Sequence, residues 1–578
     1  MKPSEKKYIK IRIFLVGLMF SIFLALIGTK AVYLQVFCGS WLSERASNQY
    51  ERSFACRGKR GSIYDSNQRE VAVSIDVTSI AAYPKNVKDV SSTAKSLAKS
   101  LKIDPGQLTK KLTAKRSFVW IKRHVTPNEA KEVRVLKLPG IDFFPEHKRF
   151  YPMKTLFAQV VGFSGMDGRG LEGIEFYYDS YLKGADYQLT VLKDALGRGF
   201  GVEKSWDADY SGNNLVLTID RAIQYIAEKS LEKAVLEYSA KSGMVVVMSP
   251  KKGAVLALAH FPFFNPNSLK DFRPEVWRNR SITDPFEPGS TMKIFLAAAA
   301  LESGGCTPNT IFFCENGAYR IGRNTVHDTH SHGWLSLQQI VKYSSNIGAV
   351  KVTEKIGPEV LYETLHDFGF GLKTGIDCPG ETTGSVSHYR RWSKIDTGAI
   401  AFGQGVSVSA IQLITAACAI ANDGILMKPY IVQAISDPNG RLIKSFAPCK
   451  VRRVVSEQTA KTVRRIMTTV ISSGGTGEKA ALEGYSVCGK TGTAQKTDPN
   501  GGYARGKYVA SFIGFAPEDH PELAILVLID EPRKNHFGGI VAAPAFREIA
   551  HETLHYMNIN PRQGGERLTV SRGGKARG

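Results

Sequence analysis

The stretch that most narrows what this chain can become lies at its start. Lys2, Lys6, Lys7, Lys10 and Arg12 precede an uncharged run from Ile13 to Thr29, and the apolar character continues past Lys30 to Val36. A helix crosses a bilayer with roughly 17–25 apolar residues, and Lys30 can snorkel to the interface. The basic cluster marks the cytoplasmic side. The pattern predicts a cytoplasmic tail at 1–12, a transmembrane anchor at 13–36, and export of everything after Val36. A cleaved signal peptide is the rival reading, but no convincing small-x-small cleavage site follows the run. A buried soluble helix does not fit such lopsided flanking charge.

With 76 Lys and Arg against 53 Asp and Glu, the net charge is 76 − 53 = +23. A basic chain suits nucleic acid, anionic membrane or acidic polymers. The anchor selects the inner-membrane surface and argues against nucleic acid. At 578 residues the chain exceeds one hydrophobic core, since cores rarely grow past about 250–300 residues.

Residues 37–212 form a first exported region of strand-rich character, with helices expected at Ser92–Leu101 and after Thr126-Pro127. It gathers no catalytic residue types and reads as a spacer or docking module. Residues 213–557 form a second region. Helices are expected at Ala222–Tyr238, Leu337–Lys355 and Ala410–Ala421, and strands at Gly243–Met248, Ala254–Ala259, 485–494, Val509–Phe515 and Leu523–Ile529. Strands at both ends with helices between predict an α+β fold, one mostly antiparallel sheet with helices on both faces. The Arg/Gly-rich stretch 558–578 is expected to be a solvated, disordered tail.

Within the second region stands Asp284-Pro-Phe-Glu-Pro-Gly-Ser-Thr-Met-Lys293, followed by an apolar run to Leu301. Pro288 and Gly289 break the chain and Met292–Leu301 is rich in helix formers. Ser290 therefore falls at a helix N-terminus, and Lys293, one turn on, shares its face. A serine hydroxyl needs a base to become a nucleophile. A lysine serves only if its pKa falls well below about 10.4, which burial and a second cation would both achieve. Ser344-Ser345-Asn346 offers a hydroxyl and an amide. Lys490-Thr491-Gly492-Thr493 offers a second cation, two hydroxyls and a glycine beside which a substrate backbone fits.

Similar spacings elsewhere are weaker. Ser92/Lys95, Ser96/Lys99 and Ser249/Lys252 have no companions, Lys373-Thr374-Gly375 lies in a glycine-broken loop, and Ser211-Gly-Asn213 precedes Ser290 as a turn. His327, His330 and His332 suggest a metal cluster, but nothing completes a ligand set, so a polar loop is expected, with no metal and no cofactor. The eight cysteines show no CxxC spacing. Cys306 and Cys314 flank a short loop and are candidates for a bridge, whereas Cys418 and Cys488 lie in apolar runs as buried thiols are expected to do.

Ser-x-x-Lys, Ser-Asp-Asn and Lys-Thr-Gly mark class A β-lactamases and penicillin-binding proteins, and here Ser344-Ser345-Asn346 keeps the outer two residues of the middle element. With the anchor, the Arg60–Asp65 opening (RGSIYD), Gly170–Glu175 (GLEGIE), Phe402–Gly405 (FGQG) and Gly489–Ala494 (GKTGTA), the chain resembles a class B penicillin-binding protein of the septal, FtsI type across nearly all of 1–557. Ser66 and Gln68 depart from the usual D-R-N-G, which is expected to weaken a hairpin there.

The resemblance implies a D,D-transpeptidase that cross-links peptidoglycan stem peptides and is acylated by β-lactams. Ser290 would be the nucleophile and Lys293 the general base. Ser344 would relay the proton, and Asn346 would hold Lys293 and the substrate amide. Lys490 would lower the Lys293 pKa and, with Thr491 and Thr493, bind the substrate carboxylate. The backbone N–H groups of Ser290 and Thr493 would form the oxyanion hole. It further implies a pedestal at 37–212, a polytopic glycan polymerase and other divisome proteins as partners, and a catalytic domain on the extracytoplasmic side of the inner membrane. An elongation enzyme or a D,D-carboxypeptidase shares these motifs. A β-lactamase would need neither anchor nor pedestal, and a non-catalytic division scaffold would not need the intact trio.

Overall fold

The computed structural model describes residues 3–193, 199–200, 210–268, 273–498 and 501–561; the tail from 562 lies outside these. The N-terminal run is one helix, α1 (Pro3–Val32), of 30 residues with no buried side chain. At 1.5 Å per residue it is about 45 Å long, and it is apolar enough to cross a bilayer.

The chain divides into two compact units, 1–58 with 185–210, and 59–184 with 211–578. The first holds α1 and an antiparallel ladder of Glu51–Arg57 on Asp186–Lys193. In the second, a mixed seven-stranded sheet joins chain from both sides of residue 212. Ile63–Tyr64 pairs antiparallel with Glu70–Ala82 and parallel with Asn214–Leu217, which in turn pairs with Val432–Ser436. Three helices, Val90–Leu101, Pro105–Leu112 and Pro127–Val135, supply Leu97, Leu101, Leu108 and Val133 to a core shared with Ile80 and Ile121. Each starts on a side-chain cap: Asp89, Asp104, and Thr126 in a capping box with Glu129.

The two motifs of this region meet. Arg60 Nε donates to Glu175 Oε2 at 2.6 Å and Arg149 Nε to Glu175 Oε1 at 2.6 Å, with Asp179 accepting from Arg60 at 2.5 Å. Glu175 is fully buried. Burial opposes its ionisation, but the two guanidiniums outweigh it and hold its pKa below the usual value.

The hairpin after Tyr64 is retained despite its departure from the family pattern. Asp65 Oδ1 accepts from the backbone N–H of Asn67 (2.9 Å) and Arg69 (2.8 Å). Gln68 takes φ +62, the left-handed conformation in which glycine is at ease.

A second sheet carries the chemistry. Its strands are β1 (Ser242–Met248), β2 (Val255–Phe261), β3 (Cys488–Thr497), β4 (Tyr503–Ala516) and β5 (Leu523–Asp530), ordered β2-β1-β5-β4-β3 and antiparallel throughout. Side chains alternate across it. Val245, Val247, Ile525, Val527 and Phe512 face one core with α2 (Arg221–Glu237) and, near the chain's end, Ala543–Tyr556. Met244, Val246, Leu526, Leu528 and Ile513 face the other. There they meet α3 (Lys293–Glu302), α6 (Ala410–Ala421) and α7 (Glu457–Ile471). Between α3 and α6 come α4 (Leu337–Tyr343) and α5 (Asn346–Ile356). The single helix expected at Leu337–Lys355 is thus two, broken at Ser344-Ser345. The seven described cysteine side chains are all free. Cys306 and Cys314 are buried and unbridged, the Cys314 thiol being turned to the Phe312 carbonyl.

Glu175→Gln should destabilise the solubilised chain by about 3–5 kcal/mol, because buried Arg149 loses its counter-charge and buried Arg60 is left with Asp179 alone. Gln68→Gly should stabilise it by about 1 kcal/mol, by relieving left-handed strain. Denaturant unfolding of the two variants against the native chain measures both.

Candidate active site

Ser290 lies in a single 3-10 turn, Gly289–Met292, that runs directly into α3. The turn is fixed from three sides. Thr291 Oγ1 donates to Pro288 O at 2.7 Å. Gly289 N–H donates to Gly403 O at 3.1 Å. Glu287 accepts from Gly405 N–H at 3.0 Å and from the Tyr503 hydroxyl at 3.4 Å. Gly403 is obligatory here, since a Cβ on it would stand 2.1 Å from Gly289 O. The FGQG segment is therefore a brace for the serine turn.

The Lys293 amine is fully buried. Its Nζ lies 3.1 Å from Ser290 Oγ, 2.6 Å from Ser344 O, 3.3 Å from Ser344 Oγ and 2.7 Å from Asn346 Oδ1. Burial lowers its pKa to about 7, and the nearby Asp328 carboxylate opposes that shift. An uncharged amine has two N–H donors and one lone pair. The two short contacts, to a carbonyl and an amide oxygen that only accept, take the N–H groups and leave the lone pair facing the Ser290 hydroxyl.

Ser344 ends α4 with φ +63, a left-handed conformation that costs a non-glycine residue about 1–2 kcal/mol. The strain turns both its carbonyl and its hydroxyl toward Lys293. Ser345 caps α5, its Oγ accepting from Gly348 N–H at 2.9 Å, and Asn346 opens that helix.

From β3, Lys490 reaches Ser344 Oγ at 2.9 Å, Thr491 O at 3.1 Å and Thr491 Oγ1 at 3.3 Å. It too is fully buried, and burial together with the Lys293 charge depresses its pKa well below the ordinary lysine value. Burial lowers both amines, and the repulsion between them is mutual, so a proton on either disfavours a proton on the other. Gly492 also has another task than admitting substrate. A Cβ there would lie 2.2 Å from Ser511 Oγ and 3.0 Å from Thr291 Cγ2, so its bareness lets β3 pack on the serine turn. Thr491 is buried, while Thr493 is half-buried and accepts from Gly538 N–H at 3.1 Å.

One residue escaped the sequence reading. Asp328 accepts from Ser345 Oγ at 2.5 Å and from the backbone N–H of Ile347 at 3.0 Å, and its Oδ1 also takes the Asn346 N–H. It sits in the histidine-rich stretch, where the histidines drew attention. His327 offers its carbonyl to Asn346 Nδ2 at 3.2 Å, and His332 stacks on Tyr343 at 5.3 Å. The stretch is a loop clamped over the Ser344–Asn346 turn. Among the described residues, no three His, Cys, Asp or Glu side chains are grouped to hold a metal. Lys373-Thr374-Gly375 is likewise a loop, its Thr374 and Gly375 N–H groups bound to Glu381 at 2.6 and 3.1 Å.

A serine at a helix start, a buried amine against it and a second buried amine one hydroxyl away define a serine acyltransferase. Comparison with known proteins places it more closely. Residues 243–551 match the model of the penicillin-binding protein transpeptidase domain, and residues 56–217 that of the penicillin-binding protein dimerisation domain. The probable peptidoglycan D,D-transpeptidase PenA of Neisseria gonorrhoeae is 36% identical over 95% of this chain and 93% of its own length. The peptidoglycan D,D-transpeptidase FtsI of Escherichia coli is 35% identical over 93% and 90%, and stage V sporulation protein D of Bacillus subtilis 35% over 93% and 84%. Penicillin-binding protein 3 of Mycobacterium tuberculosis, solved with aztreonam, superposes with a TM-score of 0.68 at 29% identity, covering 88% of this chain and 98% of that one. The chain belongs to the class B penicillin-binding proteins, serine enzymes of the D,D-transpeptidase type.

Asp328→Asn should cost about 1–2 kcal/mol of stability, read by thermal melting, through the weakened cap on α5. It should also move the acidic limb of penicillin acylation to lower pH, because the carboxylate that holds the Lys293 pKa up is gone.

Proposed function

We propose that this chain is a peptidoglycan D,D-transpeptidase that works through a Ser290 acyl-enzyme and serves septal wall synthesis during division. The observation that carries the chemistry is the Lys293 amine, which touches Ser290, Ser344 and Asn346 at once. Near pH 7 a sizeable fraction of that amine is free base. It takes the Ser290 proton as Oγ attacks the carbonyl of the penultimate D-Ala. The N–H groups of Ser290 and Thr493 receive the developing oxyanion. The C–N bond then breaks. The Ser344 hydroxyl, between the two lysines at 3.3 and 2.9 Å, passes a proton to the departing D-Ala amine. An amine of a neighbouring stem peptide attacks the ester, the new amide forms, and Ser290 recovers its proton.

Asn346 orients the donor amide, and Lys490 with Thr491 and Thr493 holds the terminal carboxylate. A carboxylate facing Lys490 would restore the proton that burial and Lys293 discourage. A β-lactam follows the same path, except that its leaving nitrogen stays tethered to the acyl group and blocks the acceptor.

In this reading α1 anchors the protein in the inner membrane and residues 37–212 act as a pedestal for the catalytic domain at 213–557 on the extracytoplasmic side. A polytopic glycan polymerase supplies the strands, with other divisome proteins beside it. The resemblance to the septal, FtsI type supports the division role.

Fluorescent penicillin should label the native chain stably in membranes and fail to label Ser290→Ala. Label retained on Ser290→Ala would remove the nucleophile assignment. Depletion of the protein in its own host should give filaments; swollen, rounded cells would instead assign it to elongation.

A further inference from the structure

Thr476 has no part in the three motifs, yet it spans the two sides of the site. It sits in the tight turn after α7, where a Cβ on Gly475 would lie 2.2 Å from Val470 O. Its Oγ1 lies 3.1 Å from Thr491 Oγ1 on β3 and 3.3 Å from the carbonyl of Lys342, in the last turn of α4. Its backbone N–H points to the same carbonyl at 3.4 Å. Its own carbonyl backs onto Gly539, where a Cβ would come within 2.1 Å.

The direction of these bonds is forced from one end. The Lys342 carbonyl can only accept, so the single Thr476 proton goes there and Thr476 must accept from Thr491. The Thr491 proton is then committed to Thr476, and its lone pairs are presented to Lys490 Nζ at 3.3 Å. The result is a polarised chain, Lys490 to Thr491 to Thr476 to Lys342, whose acceptor end is the C-terminus of the helix that carries Ser344. Donors in such a chain strengthen one another.

We propose that Thr476 is a positioning residue for the carboxylate end of the substrate. It ties the β3 strand to the end of α4 and fixes the Thr491 hydroxyl, so that Lys490 is held as an aimed cation between Ser344 and the incoming carboxylate. Its claim lies on specificity: substrates and inhibitors with a free carboxylate depend on Thr476, and those without one do not. The proposal rests on the acyl-transfer reading above.

The side chain is exposed at the edge of the site, so Thr476→Val, which keeps its shape and removes the hydroxyl, leaves the core untouched. The test uses the full chain in detergent and measures the second-order rate of acylation by a fluorescent penicillin and by its methyl ester. Thr476→Val should slow the free-acid penicillin by about 10–100-fold, the scale of loss when a reacting group is slightly misplaced. It should change the ester rate less than about threefold and leave the melting temperature in place. Thr476→Ser should restore the free-acid rate to within about threefold, since the hydroxyl chain is rebuilt. Equal slowing of both probes, no slowing of either, or failure of the serine to rescue would overturn the assignment. Ser290→Ala is run beside them. Label on that variant would count against the acyl-enzyme itself, whereas a silent Ser290→Ala with an unaffected Thr476→Val would remove only the role of Thr476.

Discussion

The site depends on an amine that is buried with no carboxylate among its contacts. An ammonium in that position is costly to desolvate, and the protein resolves the conflict by letting the proton go. Lys293 is then a base near neutral pH because of where it stands. Its four neighbours, Ser290, both polar groups of Ser344, and Asn346, supply acceptors for its two N–H bonds and a hydroxyl for its lone pair. Around it, the flanking structure holds distances constant. Gly403 braces the serine turn, Gly492 admits β3 against it, and the strained Ser344 points two oxygens at one nitrogen.

The fold makes this possible through the strict alternation of its central sheet. One face packs on α2 and the C-terminal helix. The other packs on α3, α6 and α7, so α3 runs along the sheet with its N-terminal turn beside β3. Ser290 and Lys490 thereby approach across 200 residues of chain. The second lysine is buried at the same point, and the two amines share the Ser344 hydroxyl. Repulsion between them makes simultaneous protonation unfavourable.

Much of this was legible in the sequence because it is local or periodic. The strands of the central sheet show as apolar runs, α6 was bounded to the residue, and the Thr126-Pro127-x-Glu129 start is a complete capping signal. The three motifs announced the site through their order. What stayed hidden depends on partners distant in the chain. Nothing in the residues near Asp328 says that it caps a helix beginning at Asn346. The break at Ser344 is marked only by the weak helix formers Ser344-Ser345-Asn346 inside an otherwise helical run, and its left-handed turn is held by contacts to Lys293 rather than by a glycine. Arg60 and Glu175 were noted in separate motifs, and only the fold shows that they neutralise each other. The glycine in Lys-Thr-Gly has a further role that its neighbours in sequence do not show, since Ser511 and Thr291 stand where its Cβ would be.

The most direct test of the central claim is the pH dependence of acylation of the full-length native protein by penicillin, followed from pH 5 to pH 9. If Lys293 is a free base by virtue of burial, the second-order rate constant rises with pH and is half-maximal near 7, where the amine loses its proton. A rate constant that keeps climbing toward the ordinary lysine range near 10.4, or that is flat from pH 5, would contradict it.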